Sequence, residues 1–251
     1  MRILYIIPGP MHLTELGVAE IKRREGKLRD WAFGETQVDM VAVDRGPGSI
    51  ECMYEEYLSI QPTAEKVKEA EAKGYDAAII GCFGDPGLDG LREISDMLVV
   101  GPAGASIALA TTLGHRFSFV TVTETIVPGL RRLAWEAGAL DSMASIRFID
   151  TPVIDLNKNH AAGVKKMIEE GRKAVKEDGA DVLVLGCMSM GFLDVAEEMS
   201  RELGVPVINP SKAALKVAEA TVAMGLKHSR HAYMTPPKIL AGKKLEDLYV
   251  K

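Results

Sequence analysis

The sequence predicts an α/β protein made of two pseudo-symmetric, doubly wound parallel-sheet lobes, with the ligand site in the cleft between them. Three observations carry that expectation. Short runs of branched apolar residues alternate along the chain with longer segments of helical period, as in a parallel sheet covered by helices. Two segments nearly half the chain apart share one layout. Gly74-x-Asp76, four apolar residues and Gly81-Cys82 are matched by Gly179-x-Asp181, four apolar residues and Gly186-Cys187. Finally, 251 residues that are 47% apolar suffice for two cored lobes and exclude a disordered chain.

Taken in order, residues 3–7 are the first strand, a run too short for a secretory leader and closed by Pro8. Residues 38–43 are the second. Ser49 is the expected N-cap of a helix whose first turn holds Cys52 as a packing residue. Strands at 77–80 and 98–100 follow, with Asp85 and Pro86 expected to open the helix after Cys82. The apolar stretch 99–113 is broken by Gly101, Pro102 and Gly104, so it does not read as a membrane span. Strands at 118–122 and 146–149 come next. A helix over 162–176 gathers Val164, Met167, Ile168, Gly171 and Ala174 on one face. Strands at 182–185 and 205–208 precede a last helix over 211–224. The expected division is 1–97 with 209–251 as the first lobe and 98–208 as the second.

A net charge of −5 argues against unspecific binding to nucleic acid or to an anionic membrane. Three cysteines do not make a disulfide framework and fit a reducing, cytoplasmic setting. Cys-x-x-Cys, His-Glu-x-x-His and Gly-x-Gly-x-x-Gly are all absent, so neither metal nor cofactor is expected. His228 and His231 share a helical spacing without a third ligand and are read as a solvated face. The expected partners are a small-molecule substrate and further copies of the chain.

Both repeated cysteines fall at the carboxyl end of a strand, where open α/β sheets bind ligands. A helix start beside a thiol favours the thiolate, so both are expected below the ordinary thiol range. Gly81, Gly84 and Gly186 would let backbone N–H groups reach a substrate oxygen. A strand-end cysteine also packs as a small hydrophobe. The pairing favours chemistry: one thiolate removes a proton from one face of a carbon, and the opposite thiol returns one to the other.

The run Gly81-Cys82-Phe83-Gly84-Asp85-Pro86-Gly87-Leu88-Asp89, with Arg92-Glu93, resembles the first-cysteine motif of hydantoin racemases. These enzymes belong to the cofactor-independent aspartate/glutamate/hydantoin racemase superfamily. Segments 46–51, 117–122, 185–187 and 206–210 are similar too, as are 225–229 and 236–238 in the tail, so the resemblance runs through nearly the whole chain. It implies an isomerase in which Cys82 and Cys187 exchange protons with a 5-substituted hydantoin or a ureide such as allantoin. It also implies that Pro8, Ser49, Phe83, Gly84, Thr121 and Met188 bind substrate. Phe83-Gly84 and Met188-Ser189 stand where amino-acid racemases have Asn-Thr and Thr-His, which weighs against glutamate or aspartate. Pro8-Gly9-Pro10 replaces the Asn-Pro-Asn turn of hydantoin racemases. The alternatives are an aspartate/glutamate racemase or maleate isomerase with the same site, or a two-lobed protein that binds a small ligand without turnover. Paired thiols weigh against the last.

Overall fold

The computed structural model describes residues 1–156, 158 and 160–248. Residues 249–251, expected with the first lobe, lie outside the described residues. One sheet contains β1 (Arg2–Ile7), β2 (Gln37–Ala42), β3 (Ala77–Ile80) and β4 (Leu98–Val100). The other contains β5 (Phe117–Thr121), β6 (Met143–Phe148), β7 (Val182–Leu185) and β8 (Val207–Ile208). Their strand orders are β2-β1-β3-β4 and β6-β5-β7-β8, one plan used twice. All neighbouring strands run parallel. Parallel strands are covered on both faces, and β3 and β7 are accordingly apolar and buried at every position.

The helices are α1 (Gly17–Trp31), α2 (Met53–Ala72), α3 (Leu88–Glu93), α4 (Pro102–Leu113) and α5 (Val127–Glu136). After them come α6 (His160–Lys176), α7 (Met188–Phe192), α8 (Ala196–Leu203), α9 (Pro210–Ala223) and α10 (Pro237–Leu240). Helix α2 covers the outer face of the first sheet over Leu4, Ile6 and Ile80, while α6 and α8 pack with Val120 and Leu185 of the second. Between the sheets, α9 lies on β3 and β4, α4 lies on β7 and β8, and the two helices pack on each other. One apolar cluster therefore runs from Ile3 and Ile79 through Ile107 and Leu215 to Phe119 and Val184.

Three local expectations are corrected. Strand β4 pairs with β3, so the chain leaves the first sheet after Val100 and not at residue 97. Helix α2 starts at Met53 with Cys52 in the N-cap position, which leaves Ser49 in the loop ahead of it and not as a cap. Asp85 does not cap α3, which starts at Leu88 after a left-handed Gly87. Its carboxylate instead accepts from the N–H groups of Ala103 and Gly104, each at 3.1 Å, at the start of α4. The residue type was suited to a helix start; the helix it serves is the following one.

His228 is also not on a solvated helix face. It lies beyond α9, and its Nε2 accepts from the Val99 N–H of β4 at 2.9 Å. Burial and the nearby Arg92 hold the imidazole at about 4, below its usual 6.5. The folded state thus favours the neutral ring, and its contribution is complete above pH 6.5 and lost as the pH falls towards 4. Replacing His228 by alanine should cost about 1 kcal/mol at pH 7. Urea unfolding at pH 7 and 4.5 should show a smaller acid-induced loss in His228→Ala than in the parent; equal losses would contradict the assignment.

Candidate active site

Each sheet delivers its cysteine in the same way. After β3, Gly81 N–H donates to the Ile6 carbonyl at 2.7 Å, and after β7, Gly186 N–H donates to the Val120 carbonyl at 2.8 Å. The next residues, Cys82 and Cys187, both line one cleft. It opens beyond the carboxyl ends of β1, β3, β5 and β7, where the strand order of each sheet reverses.

Pro8, Ser49, Phe83, Gly84 and Met188 also line this cleft. Thr121 does not. It is fully buried, and its hydroxyl donates to the Gly186 carbonyl at 3.0 Å, bracing the strand end behind Cys187. The next residue, Val122, reaches the cleft in its place. Strand alternation accounts for the difference, since adjacent side chains point to opposite faces. The glycines beside Cys82 make room for the protein itself more than for a ligand. A Cβ on Gly81 would stand 2.5 Å from the Tyr5 ring, and one on Gly84 would stand 2.0 Å from Glu56 Oε1.

The electrostatics overturn the expectation of lowered thiols. Burial pushes Cys82 above the ordinary thiol range, Glu56 adds to the rise, and the Gly84 N–H opposes it. Burial also raises Cys187, against the N–H groups of Met190 and Ser189 and the charge of Arg24. The two helix starts here, α3 and α7, are short, and desolvation of a thiolate outweighs a few aligned amides.

Two charged residues at this site escaped the sequence. Arg24 of α1 is 4% exposed, lines the cleft, and donates through Nε to Glu20 at 2.7 Å and through Nη2 to Ser189 Oγ at 3.2 Å. Glu56 of α2 is 7% exposed, lines the cleft, and is pushed up to about 7 by burial, with Arg132 opposing. In sequence, Arg24 sits beside Arg23 and Glu56 beside Glu55, and nothing local distinguishes the inward member of either pair. Among the described residues, no three His, Cys, Asp or Glu side chains form a metal-binding cluster, and no helix is long and apolar enough to cross a membrane.

The fold is that of an isomerase of the racemase class. Residues 22–218 match the family described as Asp/Glu/Hydantoin racemase, and the chain belongs to that family. A hydantoin racemase of Pseudomonas sp. (strain NS671) is 40% identical over 222 residues, covering 88% of either chain. A hydantoin racemase of Paenarthrobacter aurescens is 36% identical over 238 residues, covering 94% of this chain and 98% of its own. Among solved structures, allantoin racemase from Klebsiella pneumoniae superposes with a TM-score of 0.86 at 33% identity, covering 94% of each chain.

Proposed function

We propose that this racemase interconverts the enantiomers of 5-substituted hydantoins, or of a related ureide such as allantoin, through proton transfer between Cys82 and Cys187. The observation that carries this reading is the delivery of one thiol from each of two like sheets to a single cleft. The substrate carbon carries an acidic C–H next to a carbonyl. A thiolate on one side takes that proton, and the electron pair spreads into the carbonyl as an enolate. The thiol on the other side then gives its proton to the opposite face of the carbon. The carbon is inverted, and the two sulfurs have exchanged protonation states.

The apolar lining from Ile50, Val122, Ile126 and Leu130 suits an uncharged ring better than an amino acid zwitterion. The test is direct. Pure L and D forms of a 5-substituted hydantoin, and of allantoin, are incubated with the protein and followed by chiral chromatography. Convergence of both enantiomers on the racemate, well above the uncatalysed rate, is expected for one substrate class. Unchanged optical purity for every compound would remove the proposal.

A further inference from the structure

The surroundings of the two thiols differ in charge. Beside Cys82 stand the carboxyl groups of Glu56 and Asp85. The Glu56 carboxyl packs directly on Gly84, whose N–H points at the Cys82 sulfur. Beside Cys187 stands the Arg24 guanidinium, with the N–H groups of Ser189 and Met190; Glu51 opposes them as a smaller influence. From α5, Arg132 approaches Glu56 at 3.7 Å while itself 37% exposed, and Glu136 adds a second negative charge. Tyr5 lies near both sulfurs, and burial holds its phenol in the neutral form. The cleft thus has a negative end at Cys82 and a positive end at Cys187.

On the two-thiol reading, we infer that Glu56 is a positioning residue that sets which thiol ionises first, holding Cys82 as the thiol and leaving Cys187 the more readily ionised of the two. A like charge beside an ionisable group disfavours its charged form, and an opposite charge favours it. Proton abstraction then starts at Cys187, and Cys82 supplies the proton to the far face. The enantiomer that presents its C–H to Cys187 meets the thiol that ionises first. The other enantiomer needs the less readily ionised Cys82 as its base. Burial raises both Glu56 and Asp85 to about 7, so both ionise as the pH rises through that value and the bias should be strongest above it.

Thiol labelling tests this without any turnover. The parent protein is treated with iodoacetamide, an uncharged reagent that Glu56 does not repel, between pH 6 and 9.5, and each cysteine is quantified by peptide mass spectrometry. Cys187 is buried and Cys82 is only partly so, so accessibility alone would make Cys82 react first. The inference requires the reverse: Cys187 is labelled first, with the gap widening above pH 7. Glu56→Gln should speed labelling of Cys82 by about tenfold and move its pH profile to lower pH, leaving Cys187 nearly unchanged. Glu56→Asp, which keeps the charge, should leave Cys82 slow. Faster labelling of Cys82 in the parent overturns the inference and needs no variant to be made. A Glu56→Gln protein in which both thiols speed up alike, or in which the Cys82 profile does not move, overturns it as well. Because racemisation is not measured, failure here is distinguishable from failure of the proposed reaction.

Discussion

Replacing Cys82 or Cys187 by alanine is expected to stop racemisation in both directions. Inversion needs an acid and a base on opposite faces, and each variant keeps only one of them. The loss in either direction should be at least the 10²–10⁴-fold typical of a positioned acid–base group. Each variant nevertheless retains a sulfur able to take a proton from the enantiomer that faces it. That proton can exchange with solvent and return to the same face, with configuration retained. In deuterated water, Cys82→Ala and Cys187→Ala should therefore each label one enantiomer at the reacting carbon, and opposite ones. Mass spectrometry combined with chiral separation reads this directly, after subtraction of the slow uncatalysed exchange. Equal labelling of both enantiomers by one variant would mean that a single base reaches both faces.

The second large effect lies at Phe192. This ring belongs to α7, in the turn that follows Cys187, and is completely buried. It meets Tyr5 of β1 edge-on at 5.7 Å, stacks on Trp31 of α1 at 5.9 Å, and receives the Arg24 guanidinium over its face at 5.0 Å. A side chain from the second half of the chain is therefore enclosed by three from the first. Phe192→Ala should lower the unfolding free energy by about 3–5 kcal/mol, the range for truncating a buried aromatic. It should also weaken activity, because Arg24 loses one of the surfaces that hold it near Cys187. Denaturant unfolding of the parent, Phe192→Leu and Phe192→Ala would measure the series, with leucine recovering part of the loss. A change below about 1 kcal/mol for alanine would mean that the core refills the space.

The sheets were legible because of how parallel strands are buried. Ala77–Ile80 and Val182–Leu185 are apolar throughout, and only a strand covered on both faces has reason to be so. The two cysteines were legible because the strand and its Gly-Cys ending occur twice. Capping was less legible: Asp85 looks like the start of the nearest helix, yet it serves α4, which reaches it through the fold. The state of the thiols was not legible at all. It depends on desolvation by parts of the chain remote in sequence, including Glu56 near Cys82 and Arg24 near Cys187. Helix residues such as these look solvent-facing until tertiary packing turns one of each adjacent pair inward.

The packing of α9 on β3 and β4 has a consequence for synthesis of the chain. The strands of the first sheet are complete once Val100 has been made, but the helix that covers part of them ends at Ala223. Through that interval the emerging polypeptide must leave apolar strand surface uncovered, or shelter it under the ribosome or a chaperone. Release of residues 210–223 from the exit tunnel is then the event that closes the molecule. Nascent chains stalled before that point should remain protease-sensitive in the first sheet, and chains stalled well after it should not.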